Sequence, residues 1–247
     1  MSAHIEYDAN LAAKYNSEAR REHPQSNLPY ITWLRELGDI AGKSVLDLAC
    51  GDGHTSRMLA ERGAKVVGVD ISPEQTSRAK AAERTSPLRI GYVTCDVADL
   101  SLGRTFDIVS PSFLFHYAEN KEKLLKLIER TVVHLRSGGR MVALSASFDP
   151  IVPRIHNASH STAWEGAPDQ EGSRVRMWIY DRQGAEVCNF AYYYWSEETY
   201  RSLFAQAGLV DLVEVKHVFP NEWREEFPNW RDLERKNAGV VLTAHKR

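Results

Sequence analysis

The sequence predicts an α/β domain: a mostly parallel, seven-stranded sheet with helices on both faces. Three observations predict it. Short apolar runs with little strict alternation, such as KSVLDLA at 43–49 and AKVVGVD at 64–70, read as strands buried on both faces. Helical stretches stand between them, among them SPEQTSRAKAAER at 72–84 and NKEKLLKLIERTVVHL at 120–135. The connections are short, as in sheets whose strands alternate with crossover helices.

The elements follow in order. YDANLAAKYN and LPYITWLREL, within the first forty residues, each suit a helix, with Pro29 tolerated near the start of the second. Gly51 and Gly53 end the first strand, and HTSRMLAERG at 54–63 is a helix closed by Gly63. Ser72 caps the next helix, with Pro73 in its first turn and Gln75 three residues after the serine. RIGYVTCD (89–96), FDIVSPS (106–112) and RMVALSASF (140–148) are strands three to five. Between the last two, Leu124, Leu125, Ile128 and Val132 form the buried stripe of a helix that stops at Gly138-Gly139. The right-handed crossover rule then gives a Rossmann-like topology. Its ligand site lies beyond the carboxyl ends of the strands, where Asp47, Gly51, Gly53, Asp70, Asp96 and Ser110 fall.

The second half reads differently. Residues 149–173 suit a long loop, and 174–180 with 185–195 suit a β-hairpin turning at Gln183-Gly184. SEETYRSLFAQAG (196–208) is a helix capped by Ser196, and 209–219 and 238–245 are the last strands. The expected organisation is one domain over 1–247: a helical cover at 1–40, a cofactor-binding half at 41–148, a substrate lid at 149–195, and a final helix and strands at 196–247.

Composition narrows the function. Lys plus Arg is 31 and Asp plus Glu is 33, a formal charge of -2, which offers no footprint for nucleic acid. No apolar run is long enough to span a membrane, and the first residues do not read as a secretory signal, so the cytoplasm is expected. The three cysteines are widely spaced, as in a reducing compartment. The expected state is a monomer or homodimer.

The strongest signal is VLDLACGDG at 45–53. A buried strand runs into Asp47, then two glycines let a ligand approach the backbone, and a helix follows. Asp70, at the end of the second strand, suits a ribose diol. The dinucleotide pattern GxGxxG lacks its third glycine here, because Ser56 stands in its place. Asp47 and Asp52 crowd the place of a pyrophosphate, and acids favour a cationic adenosyl ligand instead.

On these residues the sequence resembles the class I S-adenosylmethionine-dependent methyltransferases, well over 40–146 and more loosely elsewhere. VLDLACGDG resembles their first motif, with Ala49 where many members have glycine. The resemblance implies that Asp47 and Gly51 lie against the methionine part of S-adenosylmethionine, with Gly53 beside them. VVGVDIS (66–72) implies Asp70 on the ribose and Ile71 on the adenine. TCDVADL (94–100) implies Asp96 at the adenine amino group and Val97 at its ring edge, with Asp99 nearby as a substitute. SPSFLFHYAEN (110–120) corresponds to the motif where cofactor and acceptor meet. Tyr7 and Tyr15 resemble a tyrosine-bearing segment that closes over the cofactor. FLFHYAEN is also similar to azapteridine-antibiotic N-methyltransferases.

The implied reaction moves a methyl group to nitrogen or oxygen of a small, aromatic or heteroaromatic acceptor and leaves S-adenosylhomocysteine. The alternatives are a nicotinamide-dependent oxidoreductase and a non-catalytic S-adenosylmethionine-binding regulator. His116, with Tyr117 beside it, is the candidate catalytic residue, either a general base or a pocket wall. Trp178, Tyr192, Tyr194 and Arg176 are the candidate acceptor contacts, with core packing or a dimer surface as the other reading of the aromatic run. His156 and His160, with Asp149 near, have weak metal-ligand spacing, and no metal is expected.

Overall fold

The computed structural model describes residues 28–148, 160–181, 183–217, 220–221, 224–225 and 239–247. Tyr7 and Tyr15, the helix expected over 7–16, Asp149 and His156 lie outside the described residues. Among the described residues, no helix is long and apolar enough to cross a membrane.

Strand and helix alternate as expected. In chain order they are α1 (Leu28–Leu37), β1 (Ser44–Leu48), α2 (His54–Ala60), β2 (Lys65–Asp70), α3 (Pro73–Thr85), β3 (Gly91–Thr94), β4 (Phe106–Pro111), α4 (Lys121–Val133) and β5 (Leu135–Ala146). Then come β6 (His160–Trp164), β7 (Arg174–Tyr180), β8 (Glu186–Tyr193), α5 (Glu197–Gln206), β9 (Leu209–Val215) and β10 (Gly239–Lys246). The large sheet has seven strands in the order β3-β2-β1-β4-β5-β10-β9. β1 to β5 run parallel, and β10 lies antiparallel between β5 and β9. The order reverses beside β1, the switch point at which open α/β sheets bind ligands.

Local chemistry sets the helix ends. Ser72 accepts a hydrogen bond from Gln75 N at 3.2 Å, with Pro73 opening α3. Ser196 does the same for Thr199 N, and Asn120 for Lys123 N, on α5 and α4. On α4 the buried stripe is Leu124, Leu127, Ile128, Thr131 and Val132; Leu127 replaces the expected Leu125 as the inward leucine. Two long cations hold helix carboxyl ends to the sheet. Arg140 donates to the carbonyls of Glu36 and Leu37 on α1, and Lys246 to those of Val132 in the last turn of α4 and Leu135 at the start of β5.

Two apolar layers sandwich the sheet. One gathers Leu46, Leu48, Val109, Phe115, Leu124 and Phe204 on the α4–α5 side, and the other Trp33, Leu37, Val45, Ile108 and Val142 on the α1 side. Adjacent strand residues feed opposite layers, which is why these strands read as unbroken apolar runs.

The second half holds the main departure from expectation. The predicted hairpin forms as β7 and β8, and β6 pairs with β7 to extend it into a separate three-stranded antiparallel sheet, β6-β7-β8. Its third strand, HSTAW at 160–164, was expected within a loop. The stretch has only weak strand character, and its pairing with β7 supplies the backbone partners that local sequence does not advertise. The turn at Gly184 (φ 80°) is as expected. The small sheet is tied to the core where β8 meets α5. Trp195 Nε1 donates to the Ala118 carbonyl at 3.0 Å, and Glu171 binds Lys121 and the hydroxyls of Ser196 and Thr199.

Candidate active site

The loop after β1 is held in shape by carboxylates. Asp70 Oδ2 accepts from Gly51 N at 2.8 Å, and Oδ1 from Ser72 N at 2.9 Å. One carboxylate thus ties the loops after β1 and β2 together. Burial raises its pKa above the ordinary value, against the pull of the backbone donors.

Asp47 is fully buried and accepts from three hydroxyls: Thr55 Oγ1 at 2.8 Å, Ser56 Oγ at 2.6 Å and Ser112 Oγ at 3.0 Å. It therefore braces β1, α2 and the end of β4 against each other. Thr55, Ser56 and Ser112 were not singled out from sequence; the only clue was the HTS triplet directly after GDG. Desolvation outweighs the three hydrogen bonds and raises Asp47 to about 6. An unfolded aspartate titrates near 3.9. Between those values the folded protein holds the extra proton, so this contribution to stability is complete below pH ~4 and is lost as pH rises through about 6. Two pKa units correspond to roughly 3 kcal/mol. Asp47→Asn removes the titration. Urea unfolding from pH 4 to 7 is expected to show the wild type losing stability relative to the Asn variant by up to that amount. A flat difference across this range would assign Asp47 an ordinary pKa.

Close packing dictates Gly53 and Gly68, whereas Gly51 answers only to its φ of +56°. Gly53 has φ +85°, and a Cβ there would lie 2.4 Å from Tyr92 Oη. At Gly68 a Cβ would come within 2.8 Å of Ser56 Oγ and of the Tyr92 ring. Ala49 is itself left-handed, at φ 58°, which explains why glycine suits that position elsewhere. Ile71, beside Asp70, is 53% exposed, an apolar side chain facing solvent at the carboxyl edge. Asp96 accepts from Ala98 N at 2.8 Å, and Val97 is buried next to it.

Not every expected residue reaches this site. Ser110 is buried on the α1 side, accepting from Trp33 Nε1 at 3.0 Å and donating to the Val142 carbonyl at 2.9 Å. Its hydroxyl is committed inside the fold, so Ser110 is corrected from cofactor contact to packing residue. Trp178 and Arg176, expected as acceptor contacts with Tyr192 and Tyr194, do not share a face with Tyr192. Trp178 pairs with Asn189 and Arg176 with Ala191, whereas Tyr192 pairs with Val175, so strand alternation places them on the opposite face. Arg176 bonds Asn189 and Glu165 there.

Tyr192 and Tyr194 do come together, in one buried cluster with Val175, Trp164 and Met177. The His116 ring lies 5.4 Å from that of Tyr192 and 4.7 Å from that of Tyr117. Phe190, which sequence reading did not single out, faces Tyr117 at 6.5 Å. Phe113 enters this turn at φ 56°, a backbone strain that packing must hold. Burial pushes His116 down to about 3, so it is a neutral ring of weak basicity at pH 7. That favours the pocket-wall reading over the general base.

Residues 45–139 match the family described as Methyltransferase domain. The chain is 32% identical over 134 residues to cypemycin N-terminal methyltransferase from a Streptomyces species, covering 54% of this chain and 53% of that protein. It is 25% identical over 122 residues to the ubiquinone biosynthesis O-methyltransferase of Pseudomonas paraeruginosa, covering 49% and 51%. The chain thus spans about half the length of these curated relatives. The S-adenosylmethionine-bound structure of CalS10, an amino pentose methyltransferase from Micromonospora echinaspora, superposes with a TM-score of 0.59 at 19% identity, covering 95% of both chains. This chain therefore has the fold of the class I S-adenosylmethionine-dependent methyltransferases, and residues 45–139 within it match the methyltransferase-domain family.

Proposed function

We propose that this chain transfers a methyl group from S-adenosylmethionine to nitrogen or oxygen of a small aromatic or heteroaromatic molecule. The observation that carries this reading is Asp70, whose carboxylate joins the Gly51 and Ser72 loops beside the exposed apolar Ile71. A ribose diol suits the carboxylate and an adenine ring suits the isoleucine. Asp96 and Val97 complete the adenine side, and Ala49, Gly51 and Gly53 form the methionine side, braced from inside the fold by the fully buried Asp47. Asp47, Asp52 and Asp70 make this region negative, which favours a sulfonium and an ammonium over a pyrophosphate.

When bound, S-adenosylmethionine would supply an electrophilic methyl on a sulfonium: the acceptor lone pair would form the new bond to carbon, the C–S pair would stay on sulfur as a thioether, and the acceptor's proton would pass to solvent. The protein's own task is alignment and exclusion of water. The three-stranded sheet serves as the lid, and its Tyr192 and Tyr194 face supplies the acceptor wall with His116 and Tyr117. Both acceptor atoms stay in the reading, because one relative is named for an N-terminus and another for oxygen. The narrower azapteridine-type reading rests on FLFHYAEN alone.

Calorimetry with S-adenosylhomocysteine and NADH tests the cofactor. S-adenosylhomocysteine is expected to bind and NADH to give no heat; the reverse result would replace this reading with the oxidoreductase. Cofactor binding without turnover across a broad acceptor panel would favour a non-catalytic regulator.

A further inference from the structure

The inner face of the small sheet has an unusual hydrogen-bond pattern. Register places Trp164, Val175 and Tyr192 in one row across β6, β7 and β8, with Thr162, Met177 and Phe190 in the next. The face packs with Ala146 at the carboxyl end of β5, beside the His116 turn. Three polar atoms in this patch are buried: Tyr192 Oη, Trp164 Nε1 and His116 Nδ1. None has a hydrogen-bond partner among the described residues. Buried polar groups are normally satisfied, and three orphans in one aromatic patch are more than packing accounts for.

The chemistry of the three limits what would satisfy them. An indole N–H only donates, so a partner must bring a lone pair; a phenol and a neutral imidazole take either role. Arg174 and Arg176 sit on the opposite face, so a charge on this side would be desolvated without their help. Burial also keeps the patch neutral, lowering the pKa of His116 and raising that of Tyr192.

We propose that Trp164, Tyr192 and His116 recognise an uncharged, flat heteroaromatic acceptor that presents a carbonyl or ring-nitrogen lone pair to Trp164 Nε1. This rests on the methyl-transfer reading and names the substrate class of that site. It makes Tyr192 Oη a recognition group whose burial destabilises the free protein.

Tyr192→Phe, which removes only that hydroxyl, tests this in two ways. In the free protein it is expected to raise Tm by about 2 °C or more, because an unsatisfied buried donor disappears. Tyr180→Phe is the control: its hydroxyl pairs with Ser161 Oγ at 2.7 Å, and no rise is expected. Calorimetry then compares 4-quinolone, 1-naphthol and 4-quinolone-3-carboxylate, each with and without S-adenosylhomocysteine. The wild type is expected to bind 4-quinolone at least ~10-fold more tightly than either of the others, and Tyr192→Phe to narrow that gap. A Tm unchanged or lowered by Tyr192→Phe overturns the proposal. So does 4-quinolone binding no tighter than 1-naphthol, absent binding included. S-adenosylhomocysteine binding with failure of these tests removes only the substrate class. Failure of S-adenosylhomocysteine to bind removes the methyl-transfer reading, while the melts and cofactor-free titrations still judge the patch.

Discussion

Asp70→Ala is expected to weaken S-adenosylhomocysteine binding by at least about 100-fold, the largest single effect on ligand affinity at this site. Hydrogen bonds to a charged acceptor contribute roughly 1.5–3 kcal/mol each, and a hundredfold change in affinity corresponds to roughly 2.8 kcal/mol. Two bonds to a ribose diol exceed that. Asp70 also receives the Gly51 and Ser72 amides, so its loss frees two backbone donors and loosens both loops. Asp70→Asn keeps one acceptor oxygen and the side-chain shape, and is expected to fall between wild type and alanine. Thermal melts of all three proteins, run beside calorimetry, separate a damaged site from a damaged fold. An affinity for the alanine variant within about threefold of wild type, with the fold intact, would remove Asp70 from the ribose site.

Gly53→Val is expected to give the largest loss of stability. A side chain at φ +85° costs roughly 1–2 kcal/mol in the left-handed region. The clash is a separate cost, because the new Cβ would stand 2.4 Å from Tyr92 Oη, 2.9 Å from Tyr92 Cζ and 3.1 Å from the Ala79 Cβ. Tyr92 has little room to yield, since its ring fills the space that the missing side chain of Gly68 leaves. Overpacking of this kind costs roughly 1–3 kcal/mol. The two together should lower Tm by about 4–20 °C in a domain of this size. Shortening Tyr92 to leucine in the same chain relieves the clash and leaves the backbone strain. Partial recovery of Tm in that double variant is the expected result. No recovery would mean that backbone conformation alone requires the glycine.

The first five strands and the turn after β1 were legible because their signals are local. VLDLACGDG specifies a buried strand, a carboxylate and a Cβ-free turn within nine residues, and the structure places Asp47, Gly51 and Gly53 accordingly. Asp70 and Ile71 follow from one more strand end. The small sheet was not legible in the same way. Alternation alone separated Tyr192 from its neighbour Tyr193, but it did not say which face of the small sheet turns inward. Nor did it show that Trp164, from a stretch read as loop, would line up with Tyr192.

By itself, then, the sequence determined the strand and helix rhythm, the glycine turn and the acids at the strand ends, because backbone conformation and helix capping are settled within a few residues. Only the tertiary structure decided how those acids are used. Asp47 became a brace for three hydroxyls, while Asp70 became the tie between two loops. Ser110 turned toward Trp33, 77 positions away in the chain. His116 lost its basicity to a desolvating wall contributed in part by β8. Burial and hydrogen-bond partners come from segments distant in the chain, and it is burial and partners that set a side chain's charge and role.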